Sequence, residues 1–106
     1  MQNSSISRVI VIRNTQGLHA RPAGEFVKLA RTFESKIELI RDGRRVEARN
    51  IIDLITLGAA QGTELILEAN GRDAKEAVEA LARLVESGFP ELDAEHDRPA
   101  GGDPAR

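Results

Sequence analysis

Residues Lys36 to Ala48 read KIELIRDGRRVEA. Ile37 and Leu39 share one face of an extended segment, and Val46 and Ala48 share one face of the next. Between the two stands Asp42-Gly43, a dipeptide suited to a two-residue turn. Lys36 to Arg41 and Arg44 to Ala48 are therefore two arms of a hairpin. A connection this short returns the chain antiparallel to itself. Each arm has one apolar face, and that face needs a second layer to cover it.

The material for that layer lies on both sides. Toward the N-terminus, Ala20 to Phe33 has helical period: Ala23, Phe26, Val27 and Ala30 fall on one face, while Glu25, Lys28 and Arg31 face away. Pro22 requires this helix to begin just before it, because proline is tolerated only in the first turn. Arg8 to Arg13 (RVIVIR) is a β-branched run of strand length, and Asn14 to Gly17 (NTQG) is a turn. Toward the C-terminus, Asn50 to Leu57 (NIIDLITL) reads as a short helix capped by Asn50. Thr63 to Ala69 is a strand with Leu65, Leu67 and Ala69 on one face. Asp73 to Ser87 is the clearest helix, with Asp73 and Glu76 placed like a capping box and Gly88 as its stop. The order βαββαβα with hairpin connections predicts an α+β, two-layer sandwich.

Beyond Phe89 the composition changes. PELDAEHDRPAGGDPAR is polar and rich in proline, glycine and charge, so 1–89 reads as one domain and 90–106 as a disordered polar tail. His96 falls in that tail and reads as a solvated residue.

Composition removes several functions. The chain has no cysteine, which excludes disulfides and thiolate chemistry. Its formal charge of -2, with no tyrosine or tryptophan, argues against a nucleic-acid partner. No apolar run suggests membrane insertion and no leader is evident, so a cytoplasmic protein is expected. A metal site is not expected, because no second histidine stands near His19.

His19 is the residue with unexplained chemistry. It stands at the start of the first helix, where backbone N–H groups have no internal partner and carry partial positive charge. Such a helix start suits a phosphoryl group. The N–H groups of Ala20 and Arg21 and the Arg21 guanidinium could hold its oxygens. A neutral imidazole there is a competent nucleophile toward phosphorus. A histidine that merely caps the helix would occupy the same position, and the spacing alone leaves both roles open. The second feature is the short helix after Asn50. Ile51, Ile52 and Ile55 cluster on one side, Leu54 and Leu57 on the other. If the leucines are core, the isoleucines stand partly open as a docking patch.

With GLHARPAGEFVKLA, RDGRRVEARNIIDLITLGAAQGTELILEANG and DAKEAVEALARLVESGF in view, the chain resembles the HPr family. These are the histidine-containing phosphocarriers of the phosphoenolpyruvate-dependent sugar phosphotransferase system. The resemblance runs from Arg8 to about Phe89 and implies an open-faced sandwich, a four-stranded antiparallel sheet with three helices on one face. It implies that His19 accepts a phosphoryl group on Nδ1, as a pros-phosphohistidine, from phosphorylated enzyme I. The group then passes to an enzyme IIA domain or a regulatory acceptor protein. Arg21 would steady the phosphate, Gly17 would shape the loop, and Pro22 would start the helix. Gly24, Ile51, Ile52, Ile55, Thr56 and Gly58 would contact partners. Such a protein is a carrier rather than a turnover enzyme, needs no cofactor, and is expected to be a monomer. A regulatory-branch carrier fits the same residues, and a non-catalytic interaction domain is the rival of another class. Many relatives carry a regulatory serine at the cap of the second helix; Asn50 stands there, with no hydroxyl to phosphorylate.

Overall fold

The computed structural model describes residues 4–89. The elements follow the expected order: β1 (Ser4–Val11), α1 (Ala20–Ala30), β2 (Lys36–Arg41), β3 (Arg44–Glu47), α2 (Ile51–Ile55), β4 (Glu64–Gly71) and α3 (Ala74–Glu86). The strands form one sheet in the order β1-β4-β2-β3, every neighbour antiparallel. The hairpin is present, with Arg41 opposite Arg44 across Asp42-Gly43. The tail at 90–106, including His96, lies outside the described residues.

One face of the sheet is the core. Ile10, Ile37, Leu39, Leu65, Leu67 and Ala69 point into it and are almost wholly buried. The helices answer with Phe26 and Val27 from α1, Leu54 from α2, and Val78, Leu81 and Val85 from α3. Phe89, just past α3, is buried in the same cluster. Burying these side chains removes apolar surface from water and drives the two layers together. The opposite face is open: Val9 and Ile66 are exposed there, beside Arg45, which bridges Glu38 and Glu68.

Several boundaries differ from those read in the sequence. β1 begins at Ser4 rather than Arg8, because β4 offers register partners from Val11 opposite Glu64 to Ser4 opposite Gly71. The same pairing carries β4 on to Gly71. α1 stops at Ala30 instead of Phe33, where Thr32 and Phe33 bond three residues back, to Leu29 and Ala30. Such tighter bonds commonly end a helix. β3 ends at Glu47, although the Ala48 N–H still bonds to the Ile37 carbonyl at 2.8 Å.

The capping box expected at Asp73 does not form. Asp73 is the N-cap of α3, but its side chain makes no bond to that helix. Its carboxylate instead accepts from the N–H of Glu34 at 2.8 Å, the N–H of Ser35 at 2.9 Å and the Ser35 hydroxyl at 2.6 Å. The hydroxyl bond, then the Glu34 N–H, hold the Asp73 pKa below the ordinary aspartate value. The carboxylate thereby ties the α1–β2 turn to the start of α3.

Candidate functional site: the open start of helix α1

His19 is the N-cap of α1, with extended backbone at φ -89° and ψ -167°. The first backbone bond of the helix runs from the Ala23 N–H to the His19 carbonyl at 2.9 Å. Pro22 therefore sits where no internal donor is needed, and its ring is buried. The N–H groups of Ala20 and Arg21 precede that first bond and belong to the unsatisfied helix start. Helix N-cap side chains ordinarily accept a bond from the N–H of the second or third helical residue, here Arg21, because Pro22 has none. The His19 ring makes no such bond, and it is only partly buried. Arg21 is exposed and, among the described residues, has no ion pair. A ring free of its capping duty thus stands beside unclaimed N–H donors and a free guanidinium.

The loop ahead of His19 is held tightly. Gly17 accepts two bonds at its carbonyl, from Asn14 Nδ2 at 2.7 Å and from the His19 N–H at 3.0 Å. The Gly17 N–H returns a bond to the Asn14 carbonyl at 3.1 Å. Leu18 is buried, and its N–H bonds to the Ala59 carbonyl at 2.9 Å. Gly17 has φ 74°, and a Cβ there would lie 2.5 Å from the Ala59 oxygen. Only glycine meets both conditions. Gln61 Nε2 adds a bond to the Arg13 carbonyl at 2.9 Å. The segment just after α2 therefore anchors the loop that delivers His19.

Sequence reading treated Asn14 only as a turn residue and missed this role. Asn14 is buried and organises the loop, yet its Oδ1 has no hydrogen-bond partner. Asparagine's habit of bonding nearby backbone was the available signal. The part played by Ala59 had none, because it depends on a contact across more than forty residues.

The second surface lies on α2. Asn50 caps it as read, accepting from the N–H groups of Ile52 at 2.9 Å and Asp53 at 3.4 Å. Leu54 and Leu57 are buried, whereas Ile51 is 39% and Ile52 65% exposed. Ile55 is half-buried and packs against the core. Gly24 brings α1 up to α2: a Cβ at Gly24 would meet Ile51 Cδ1 at 3.7 Å. Thr56 and Gly58 are exposed, but both are engaged from within. The Thr56 hydroxyl donates to the Asp53 carbonyl, and Arg44 donates to the Thr56 hydroxyl. Arg41 donates to the Gly58 carbonyl. Among the described residues no cluster of histidine and carboxylates could hold a metal, and no helix is long and apolar enough to cross a membrane.

A family model described as "PTS HPr component phosphorylation site" matches residues 6–87. The chain belongs to the HPr family. It is 40% identical over 85 residues to the phosphocarrier protein NPr of Proteus mirabilis, covering 79% of this chain and 94% of that one. It is 41% identical over 81 residues to the HPr-like protein Crh of Bacillus subtilis, covering 76% and 95%. The crystal structure of HPr-C-His from Thermoanaerobacter tengcongensis superposes with a TM-score of 0.77 at 42% identity, covering 80% of this chain and 96% of that one. Like other HPr proteins, this chain is a phosphocarrier that relays a phosphoryl group between components of the phosphotransferase system. An HPr protein carries the group and is not an independent turnover enzyme.

Proposed function

We propose that His19 is the phosphoryl acceptor of this carrier and that Arg21 steadies the group once it is there. The observation that carries this reading is the N-cap ring that makes no cap bond. The lone pair of His19 Nδ1 attacks phosphorus and a P–N bond forms. The donor's own bond to phosphorus breaks, and its electron pair leaves with the donor. Phosphate oxygens take the N–H groups of Ala20 and Arg21 and the Arg21 guanidinium, while the Gly17 loop holds the ring in place. Fixed donors of this kind stabilise charge without reorganising as the group arrives. Transfer onward is the same displacement with His19 as the leaving group.

The donor is enzyme I, and the acceptor is an enzyme IIA domain, engaged in turn over the patch of Gly24, Ile51, Ile52, Ile55, Thr56 and Gly58. One patch for two partners makes binding sequential. The protein acts in the cytoplasm as a monomer. Asn50 already makes the cap bonds of α2 and offers no hydroxyl, so a serine-kinase brake at this position is not used. A regulatory acceptor in place of a sugar permease is the second reading. It is favoured by the 41% identity to Crh of Bacillus subtilis, a protein named for catabolite repression.

The test uses phosphoenolpyruvate, enzyme I and the full chain. Intact mass should show one added phosphoryl group that acid removes, and none on His19→Ala with its fold unchanged. Phosphorylated His19→Ala would overturn the assignment of the acceptor.

A further inference from the structure

α2 has five residues, far fewer than a helix needs to hold itself in water. Leu54 and Leu57 pin its inner side, and Asn50 closes its N-terminal end. The carbonyls at its C-terminal end need donors from elsewhere. Two arginines of the β2–β3 hairpin supply them. Arg41 Nη1 donates to the carbonyls of Leu57 and Gly58, both at 2.7 Å. Arg44 donates through Nη1 to the Thr56 carbonyl and through Nη2 to the Thr56 hydroxyl, again at 2.7 Å each. Gly58 turns the chain away at φ 64°, and a Cβ there would lie 3.5 Å from Arg41 Nη1.

Arg41 and Arg44 face each other across the hairpin ladder. Two like charges in opposed positions destabilise a sheet on their own. Here the negative end of a helix dipole lies against both and offsets the repulsion. The cation pair is therefore matched to the end of α2, not to the hairpin that carries it.

We propose that Arg41 and Arg44 are positioning residues for docking, clasping α2 so that its exposed isoleucines stand ready for the partner protein. This rests on the reading that α2 carries the partner surface. A helix held in its docking orientation before encounter spares the complex the cost of ordering it. The clasp acts before the chemical step, so its loss raises KM and leaves kcat unchanged.

The experiment pairs two measurements on the full chain and on Arg41→Ala, Arg44→Ala and Arg41→Lys. One is phosphoryl transfer from phosphorylated enzyme I over a range of carrier concentrations. The other is amide hydrogen exchange of the free protein. Arg41→Ala should raise KM about fivefold to tenfold, the worth of a hydrogen bond or two. Amides from Leu54 to Gly58 should exchange faster, while those of β4 and α3 keep their protection. Arg41→Lys should recover part of the loss, because an ammonium keeps the charge but not the fork. Should Arg41→Ala fail to fold, Arg44→Ala, whose side chain is exposed, is read by the same two criteria. A raised KM with unchanged exchange means direct contact with the partner and overturns the proposal. Faster exchange with unchanged KM overturns it too. A wild-type chain that takes no phosphoryl group sinks the acceptor reading and this proposal together; a wild type that takes one, with KM unmoved in the variants, sinks only the proposal.

Discussion

Helices α1 and α2 both start from an N-cap residue with extended backbone, and they use its side chain in opposite ways. Asn50 folds its Oδ1 back onto the N–H groups of Ile52 and Asp53. His19 makes no bond to its own helix. The start of α2 is complete as it stands, whereas the start of α1 keeps donors and a nucleophilic ring available. Asp73 provides a third use, sending its carboxylate away from α3 to hold Glu34 and Ser35. A helix start is a set of donors plus one side chain, and the choice of that side chain's partner separates architecture from chemistry.

The comparison breaks most visibly at Arg21. Arg21→Ala should slow phosphoryl acceptance about a hundredfold, as loss of one preorganised donor does. Its melting temperature should stay at the wild-type value, because the side chain is exposed. Acceptance at the wild-type rate would mean that the open start of α1 is not a phosphate site.

At the start of α3 the expected loss is in stability. Asp73→Ala should cost about 2 kcal/mol at neutral pH, the scale of losing charge-assisted bonds to two N–H groups and a hydroxyl. Folding lowers the Asp73 pKa, so the carboxylate favours the folded state above its unfolded value, near pH 4. That contribution drains away as pH falls through the folded value. Urea unfolding at pH 7 and again at about pH 2.5 should show the gap between variant and wild type shrinking in acid. A gap that does not change with pH would remove the charge from the explanation.

On α2 the effects are smaller and of two kinds. Ile52→Glu should slow transfer from enzyme I roughly tenfold, as loss of an interface anchor does. Its thermal unfolding should be unchanged, since Ile52 is among the most exposed apolar residues. An unfolded variant would place Ile52 in the core and end the account of a docking patch. Asn50→Ala should lower stability by about 1 kcal/mol. It should still accept the phosphoryl group in the mass assay, which sharpens the contrast with His19→Ala.

Much of this was legible because it is local. The hairpin at Asp42-Gly43, the period of α1 and α3, and the cap at Asn50 each depend on residues within a few positions of one another. The two sides of α2 could also be read, since the helical angle per residue from Ile51 to Leu57 separates isoleucines from leucines. Strand ends were less legible. Ser4 to Ser7 (SSIS) has weak strand character of its own, and only the length of β4 beside it extends β1 that far.

The site divides along the same line. The residues proposed to do the chemistry, His19 and Arg21, stand two apart and next to Pro22 in the sequence. The contacts that set the framework join residues far apart in the chain: Ala59 against Leu18 in the loop before His19, Asp73 against Ser35, Arg41 and Arg44 against the end of α2. By itself the sequence determined which helix start would present a histidine, which faces would be apolar, and that the strands would run antiparallel. Tertiary structure alone decided that the ring stays off its own helix, that Asp73 serves a distant turn, and that two arginines close a five-residue helix. Periodicity and turn chemistry act over neighbouring residues, whereas a hydrogen bond across the fold exists only once hydrophobic burial has brought its two ends together.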